Sequence, residues 1–272
     1  MNKTALPTKL SFHAPNLREQ IEALPEGTAL IGISTHGDAI AVDLTAECPH
    51  VLVCTSTGGG STTVLRSLTA QFLHQGAHAL VIDPKRISHL WARGLPTVTH
   101  RGNGRRHPRR PGRPRRGTGA PPRPQQQRAG RRTPAHRLGG QRLQRALGQL
   151  TRYWETFRGN DDPHTSPAVA ALEAALWTGR AARVHVILDG TPAPGVLGAA
   201  PHEMFGTVIL ARVSAGTWQR LAPLAGPAPK PSKHPGRLHV IQQGTTIQEK
   251  QAIVMTDADV VNWLTDSDDK ES

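Results

Sequence analysis

The sequence predicts an α/β fold built around a buried, mostly parallel sheet. Three observations predict it. Short apolar runs of strand length, Val51–Cys54 and Ala79–Ile82, lack the polar alternation of a half-exposed strand, so both their faces are covered, and Val186-Ile187-Leu188 closes a further buried strand. A glycine-rich loop, Thr55-Ser56-Thr57-Gly58-Gly59-Gly60-Ser61-Thr62-Thr63, follows the first run directly. A helical repeat then separates that loop from the second run, so strand, loop, helix and strand make a βαβ unit.

In chain order, Asn16 begins a short amphipathic helix with Leu17, Ile21 and Leu24 on one face and Glu19 at the capping-box position. Ala29–Ser34 and Ala39–Leu44 read as strands joined by the hairpin-like Thr35-His36-Gly37-Asp38. After the strand and the glycine loop, Thr62–Gln75 is a helix facing inward through Val64, Leu65, Leu68 and Phe72, with Gly76 as its stop. The next strand runs into Asp83-Pro84-Lys85-Arg86. Past a stretch of different composition, Leu143, Leu147, Leu150, Trp154 and Phe157 form a helical stripe. Ser166-Pro167 opens a helix that runs to Trp177 and closes at Gly179. Arg183–Leu188 is a buried strand ending at Asp189. Phe205–Val213 reads as helix passing into strand, Leu238–Gln242 and Gln251–Met255 as strands. Thr256 caps a last helix carrying Val260, Trp263 and Leu264.

The formal charge of +13 is unevenly placed. Residues 101–145 hold 15 Arg and no Lys, Asp or Glu, while the rest of the chain carries 18 basic and 20 acidic side chains. A basic face spread over the whole protein is therefore excluded. The same stretch has no Val, Ile or aromatic residue, so it offers too little apolar surface to offset the entropy of ordering and is expected to be disordered. The expected divisions are 1–45 (helix and hairpin), 46–100 (first part of the α/β domain), 101–145 (basic segment), 146–265 (second part) and 266–272 (acidic tail). Two cysteines, Cys48 and Cys54, form no CxxC pair, and no apolar run approaches the ~18 residues that span a bilayer, so a reducing cytoplasm is the expected compartment.

Against the phosphate-loop pattern G-x-x-x-x-G-K-[ST], the frame falls on Thr55, Gly60, Ser61 and Thr62. Backbone N–H groups of Ser56 to Thr63, with Gly58, Gly59 and Gly60 turning them inward, can cradle phosphates at a helix N-terminus. Thr62 stands where a magnesium-side hydroxyl belongs. The lysine position is Ser61, which supplies no ammonium for a developing phosphoryl charge, and the first glycine is Thr55. Losing one such stabiliser costs on the order of 10²–10³ in rate.

Hydrolysis also needs a carboxylate at the end of a neighbouring strand. Asp83 and Asp189 are the candidates, each following an apolar strand, and each is equally compatible with a solvated strand end. No carboxylate lies between Pro84 and Trp154. The 14 His do not converge on a ligand spacing, and His185 lies on one face of a strand.

Pro49–Val53 with the glycine loop, Leu65-Arg66-Ser67-Leu68, His74-Gln75-Gly76, Val81–Arg86 and Ser88–Pro96 resemble the FtsK/SpoIIIE DNA-translocase motor of actinobacterial mobile elements. Leu150–Glu155, Arg183–Val186 and Ile209–Arg212 resemble its later portion. The resemblance covers about 28–100 and 146–265. It implies a RecA-like P-loop NTPase fold, ATP and Mg²⁺ as cofactors with Thr62 on the metal, double-stranded DNA as partner and a hexameric ring. It also implies a second acidic motif, on a strand that would fall within the arginine-rich stretch. In that alignment Asp83 belongs to the strand after the loop, and Asp189 does not replace the missing acid. Two family-like blocks around 101–145 have the form left by a shifted reading frame in a GC-rich gene.

The expected function is a degenerate motor domain that binds nucleotide and DNA weakly and is impaired in ATP hydrolysis. The alternatives are an active DNA translocase of plasmid transfer, or a non-catalytic module binding nucleic acid through the 101–145 arm. Such an arm would bind without sequence preference and with steep salt dependence.

Overall fold

The computed structural model describes residues 6–34, 37–83, 86–102, 134–139, 141–190, 204–242 and 248–268. The strands are β1 (Leu10–Ser11), β2 (Thr28–Ser34), β3 (Ala39–Asp43), β4 (Val51–Thr55), β5 (His78–Ile82), β6 (Val98–Arg101), β7 (Pro134–Gly139), β8 (His185–Asp189), β9 (Thr207–Ala211), β10 (Arg237–Gln242) and β11 (Gln248–Val254). The helices are α1 (Leu17–Glu22), α2 (Ser61–His74), α3 (Gln141–Glu155), α4 (Pro167–Thr178), α5 (Ala215–Leu221) and α6 (Asp257–Asp268).

One sheet runs in the order β3-β2-β11-β10-β9-β4-β8-β7-β5-β6, with β1 pairing onto β11 beside that path. The strands from β9 to β6 are parallel. Those from β3 to β10 are antiparallel, as is the join of β10 to β9. The α/β class holds, and the sheet is mixed: most of its strand pairs are parallel, as expected, and the β3 to β9 side is antiparallel. The N-terminal hairpin joins it as β2 and β3, through β11.

Both faces of the parallel half are covered, as the unalternated apolar runs require. Leu52 and Cys54 of β4 point with Val186 and Leu188 into a cluster closed by Leu172 and Leu176 of α4 and Trp218 of α5. Val51 and Val53 point the other way, with Ile187 and Ile209, onto Val64, Leu65, Leu68 and Phe72 of α2. A third cluster joins α1 and α6 to the sheet through Phe12, Ile21, Met255, Val260 and Trp263. Each fully buried leucine or isoleucine in these layers contributes about 1.5–3 kcal/mol.

Three expectations change. The end of the stretch expected to be disordered, 134–139, pairs on both sides as β7, between β5 and β8, and α3 begins at Gln141; residues 103–133 lie outside the described residues. Tertiary pairing, rather than any strand propensity in Pro134-Ala135-His136-Arg137-Leu138-Gly139, selects that conformation. The Phe205–Val213 segment has no helix and enters strand at Thr207. Asn16 sits in the left-handed region and makes no side-chain cap bond to α1, so that helix starts without a capping box. The box is found instead at α6, where Thr256 Oγ1 accepts from Asp259 N at 3.1 Å and Asp259 Oδ2 accepts from Thr256 N at 2.7 Å.

Candidate functional site

β4 delivers the chain to the C-terminal edge of the parallel strands, where the glycine loop turns it into α2. Ser56 N donates to Ala211 O of β9 at 3.1 Å, which ties the loop's entry to the neighbouring strand. Gly59 N donates to Ser56 O at 2.8 Å and Val64 N to Gly60 O at 3.0 Å, so the loop closes a tight turn and then starts the helix. Gly60, the residue before α2, has φ 89°, a conformation that side-chain-bearing residues avoid. At Gly59 the limit is space: an added Cβ would sit 2.7 Å from Thr55 Cβ and 2.9 Å from Ser56 O.

The loop forms one wall of a cavity of about 870 Å³. Ser56, Thr57, Gly58, Gly60, Ser61, Thr62 and Thr63 line it; Gly59 lies behind the surface. The facing wall comes from distant sequence: Thr8 and Lys9 ahead of β1, Pro235 and Gly236 ahead of β10, and Gln251, Ala252 and Val254 of β11.

The two candidate carboxylates separate. Asp189, at the end of β8, lines the cavity and is 9% exposed. Its Oδ2 accepts a hydrogen bond from Ser61 Oγ at 3.1 Å. β8 pairs directly with β4, Val53 opposite Asp189, and Gly190 N donates to Val53 O at 2.7 Å, so the carboxylate is fixed beside the loop. Asp83 ends β5, with β7 and β8 between it and β4. It is buried, its Oδ2 accepts from Ser88 N at 2.8 Å and His89 N at 3.2 Å, and it lines no part of this cavity. Asp83 therefore holds a turn together, away from the glycine loop.

The donors at the site set what it could hold. Amide N–H groups at the start of a 14-residue helix favour an anion. A hydroxyl at Thr62 and a carboxylate at Asp189 are hard oxygen donors of the kind Mg²⁺ takes together with phosphate oxygens. Among the described residues no three His, Cys, Asp or Glu side chains gather as a metal site. Such an ion would therefore need the ligand's own oxygens.

β7 occupies the slot beyond β8, where the resemblance expects a strand ending in acid. It ends at Gly139, which pairs with Asp189. No carboxylate is supplied from that strand. Lys9 and Gln251 escaped the sequence reading because they lie far from the loop in the chain, in segments without a motif.

No protein-family model matches the chain, and no curated protein sequence does. Solved structures match in fold. The pCW3 conjugation coupling protein TcpA, in its monomer form with ATPγS, aligns over 99% of this chain and 76% of its own, with a TM-score of 0.63 and 12% identity. ATPases 2 and 3 of EssC from Geobacillus thermodenitrificans align over 98% of this chain and 51% of their own, with a TM-score of 0.62 and 12% identity. The cytoplasmic domain of the Type VII secretion ATPase EccC from Thermomonospora curvata gives 89% and 31%, a TM-score of 0.60 and 16% identity. The chain thus spans about half of the EssC chain and about a third of the EccC chain. Among the described residues no helix is long and apolar enough to cross a membrane. With the glycine loop between the central strand β4 and α2, the chain shares the α/β fold of these ATPase and coupling-protein structures, the fold that the residues around the loop imply.

Proposed function

We propose that the chain is a degenerate FtsK/SpoIIIE-type ATPase domain that binds a nucleoside triphosphate with Mg²⁺ in the loop cavity and turns it over poorly. The observation that carries this reading is the pairing of Ser61 with Asp189 at 3.1 Å, at the loop position where the motif has an ammonium. The glycine loop keeps the amides that hold phosphates. It lacks the cation that offsets charge on a transferring phosphoryl group, and it faces a carboxylate instead. A bound triphosphate would meet the amides of Thr57, Gly58 and Gly60 to Thr63, since those of Ser56 and Gly59 are given to Ala211 O and Ser56 O, while the Thr62 hydroxyl and the Asp189 carboxylate would hold Mg²⁺. When bound, Mg²⁺ would add positive charge beside the phosphates, where the loop has no lysine. Asp189 accepts from Ser61, and with β7 supplying no second acid a carboxylate engaged by Ser61 and Mg²⁺ would leave an attacking water without a base, which is why turnover would be poor.

The fold shared with a coupling protein solved with ATPγS supports the nucleotide. Double-stranded DNA as partner, a hexameric assembly and a place in plasmid transfer are proposed from the family resemblance. Titration with a fluorescent ATP analogue in Mg²⁺, beside phosphate release with and without double-stranded DNA, tests the reading. Saturable binding with release at background supports it. DNA-stimulated release would favour the active translocase, and absent binding would refute the nucleotide site. The 15 Arg of 101–145 support a second, nonspecific nucleic-acid contact; 11 of them lie in 103–133, and deletion of 103–133, which leaves β7 and α3 in place, should abolish it.

A further inference from the structure

Two charged side chains line the loop cavity among the described residues, the Asp189 carboxylate on the loop's side and the Lys9 ammonium on the facing wall. The loop's own lysine position is Ser61. We infer that Lys9 supplies, from the opposite wall, the ammonium to the ligand's phosphates that the loop lacks. This rests on the nucleotide reading of the cavity and goes beyond it, since it assigns a binding role to a residue outside the motif.

The N-terminal segment is held where this role needs it. Arg237 Nη2 donates to Leu6 O at 2.8 Å and to Pro7 O at 3.2 Å. Leu10 and Ser11 pair in parallel with Ile253 and Val254, and Phe12 N donates to Val254 O at 3.0 Å. Leu6 and Leu10 are buried on either side of the exposed Lys9. The backbone of Thr8 and Lys9 is thus anchored at both ends, while the lysine side chain stays in the open cavity. No carboxylate among the described residues forms an ion pair with it.

The same wall carries a second sign of a missing ligand. Gln251 is fully buried and lines the cavity; its Nε2 donates to Pro235 O at 3.2 Å, but Oε1 has no hydrogen-bond partner among the described residues. A buried acceptor left unpaired is costly, and a ligand donor would satisfy it. The rival cation near the loop is Arg212, whose Nη1 lies 3.6 Å from the position of a Cβ on Gly58. Its Nε and Nη2 are given to Ser232 O at 3.0 Å and Lys233 O at 2.9 Å, and Arg212 does not line the loop cavity, whereas Lys9 does.

Lys9→Ala, Lys9→Arg and the double variant Lys9→Ala/Ser61→Lys test this, in the full chain with a fluorescent ATP analogue and Mg²⁺. Because only an exposed side chain is removed, the thermal midpoint of Lys9→Ala should match the parent. Its affinity should fall about tenfold or more, the worth of one charge-assisted contact. Lys9→Arg should stay within about threefold, as it keeps the charge though not the point geometry. An ammonium restored at residue 61 should recover most of the loss. Unchanged affinity in Lys9→Ala, or a loss that Lys9→Arg shares fully, overturns the inference while leaving the nucleotide site intact. If the parent chain binds no ATP analogue, both fall together.

Discussion

Replacing Asp189 by Asn should tighten nucleotide binding without Mg²⁺ and weaken it with Mg²⁺. The carboxylate is held at 3.1 Å from Ser61 Oγ, beside the amides that receive the phosphates. A phosphate oxygen on that nest would lie on the order of 5 Å away, and at an effective dielectric of 20 two unit charges at that distance repel by about 3 kcal/mol. The cavity is open to water, so screening reduces the effect to roughly one order of magnitude in Kd. Asn keeps an oxygen acceptor for Ser61, which leaves the loop geometry unchanged. In EDTA the variant should bind an ATP analogue about tenfold more tightly than the parent, whereas in Mg²⁺ it should bind more weakly because a metal donor is gone. Fluorescence titration in the two buffers reads both signs. Weaker binding in EDTA, or equal binding in both buffers, would refute the placement of Asp189 at the phosphates.

Three further outcomes are expected. Gly59→Ala forces a Cβ to within 2.7 Å of Thr55 Cβ, so the loop must open; nucleotide binding should vanish while the thermal midpoint moves only a few degrees, the shift a change of about 1 kcal/mol gives in a domain of this size. Gln71 accepts from Leu30 N at 2.7 Å and donates to Leu30 O at 2.9 Å, beside the register shift in β2, so Gln71→Leu strands two buried backbone groups and should cost about 3 kcal/mol in denaturant unfolding. Burial, then the neighbouring His50 and Arg183, lowers the His185 pKa from 6.5 to about 4. The unfolded chain therefore takes up that proton first, so stability is fullest above pH 6.5 and declines as pH falls toward 4. The loss between pH 7 and pH 5 is about 2 kcal/mol, and it should shrink in His185→Phe when guanidinium midpoints are compared at the two pH values.

The βαβ unit was legible because its signals are local. An apolar run ends in glycines that only a tight turn demands, and the inward faces of Val64, Leu65, Leu68 and Phe72 follow one helical period. What sequence could not rank was Asp83 against Asp189, since both follow an apolar strand. Their difference is topological: β8 lies against β4, while β5 lies beyond β7. β7 itself was illegible, since its six residues hold two apolar side chains and the pairing partners on either side select the strand. Phe205–Val213 misled because Met204 and Phe205 extend its apolar run past the true strand start. The far wall of the cavity could not be read at all, because Lys9 and Gln251 meet the loop only through the pairing of β1 with β11.

The central claim is a nucleotide site that has kept binding and lost turnover. Its most direct test is to incubate the protein with ATP, Mg²⁺ and double-stranded DNA, isolate the complex and identify the nucleotide it retains. Intact ATP, bound in an amount that Asp189→Asn lowers, is the expected result. Rapid accumulation of ADP with release of phosphate, or a protein recovered without nucleotide, would contradict it.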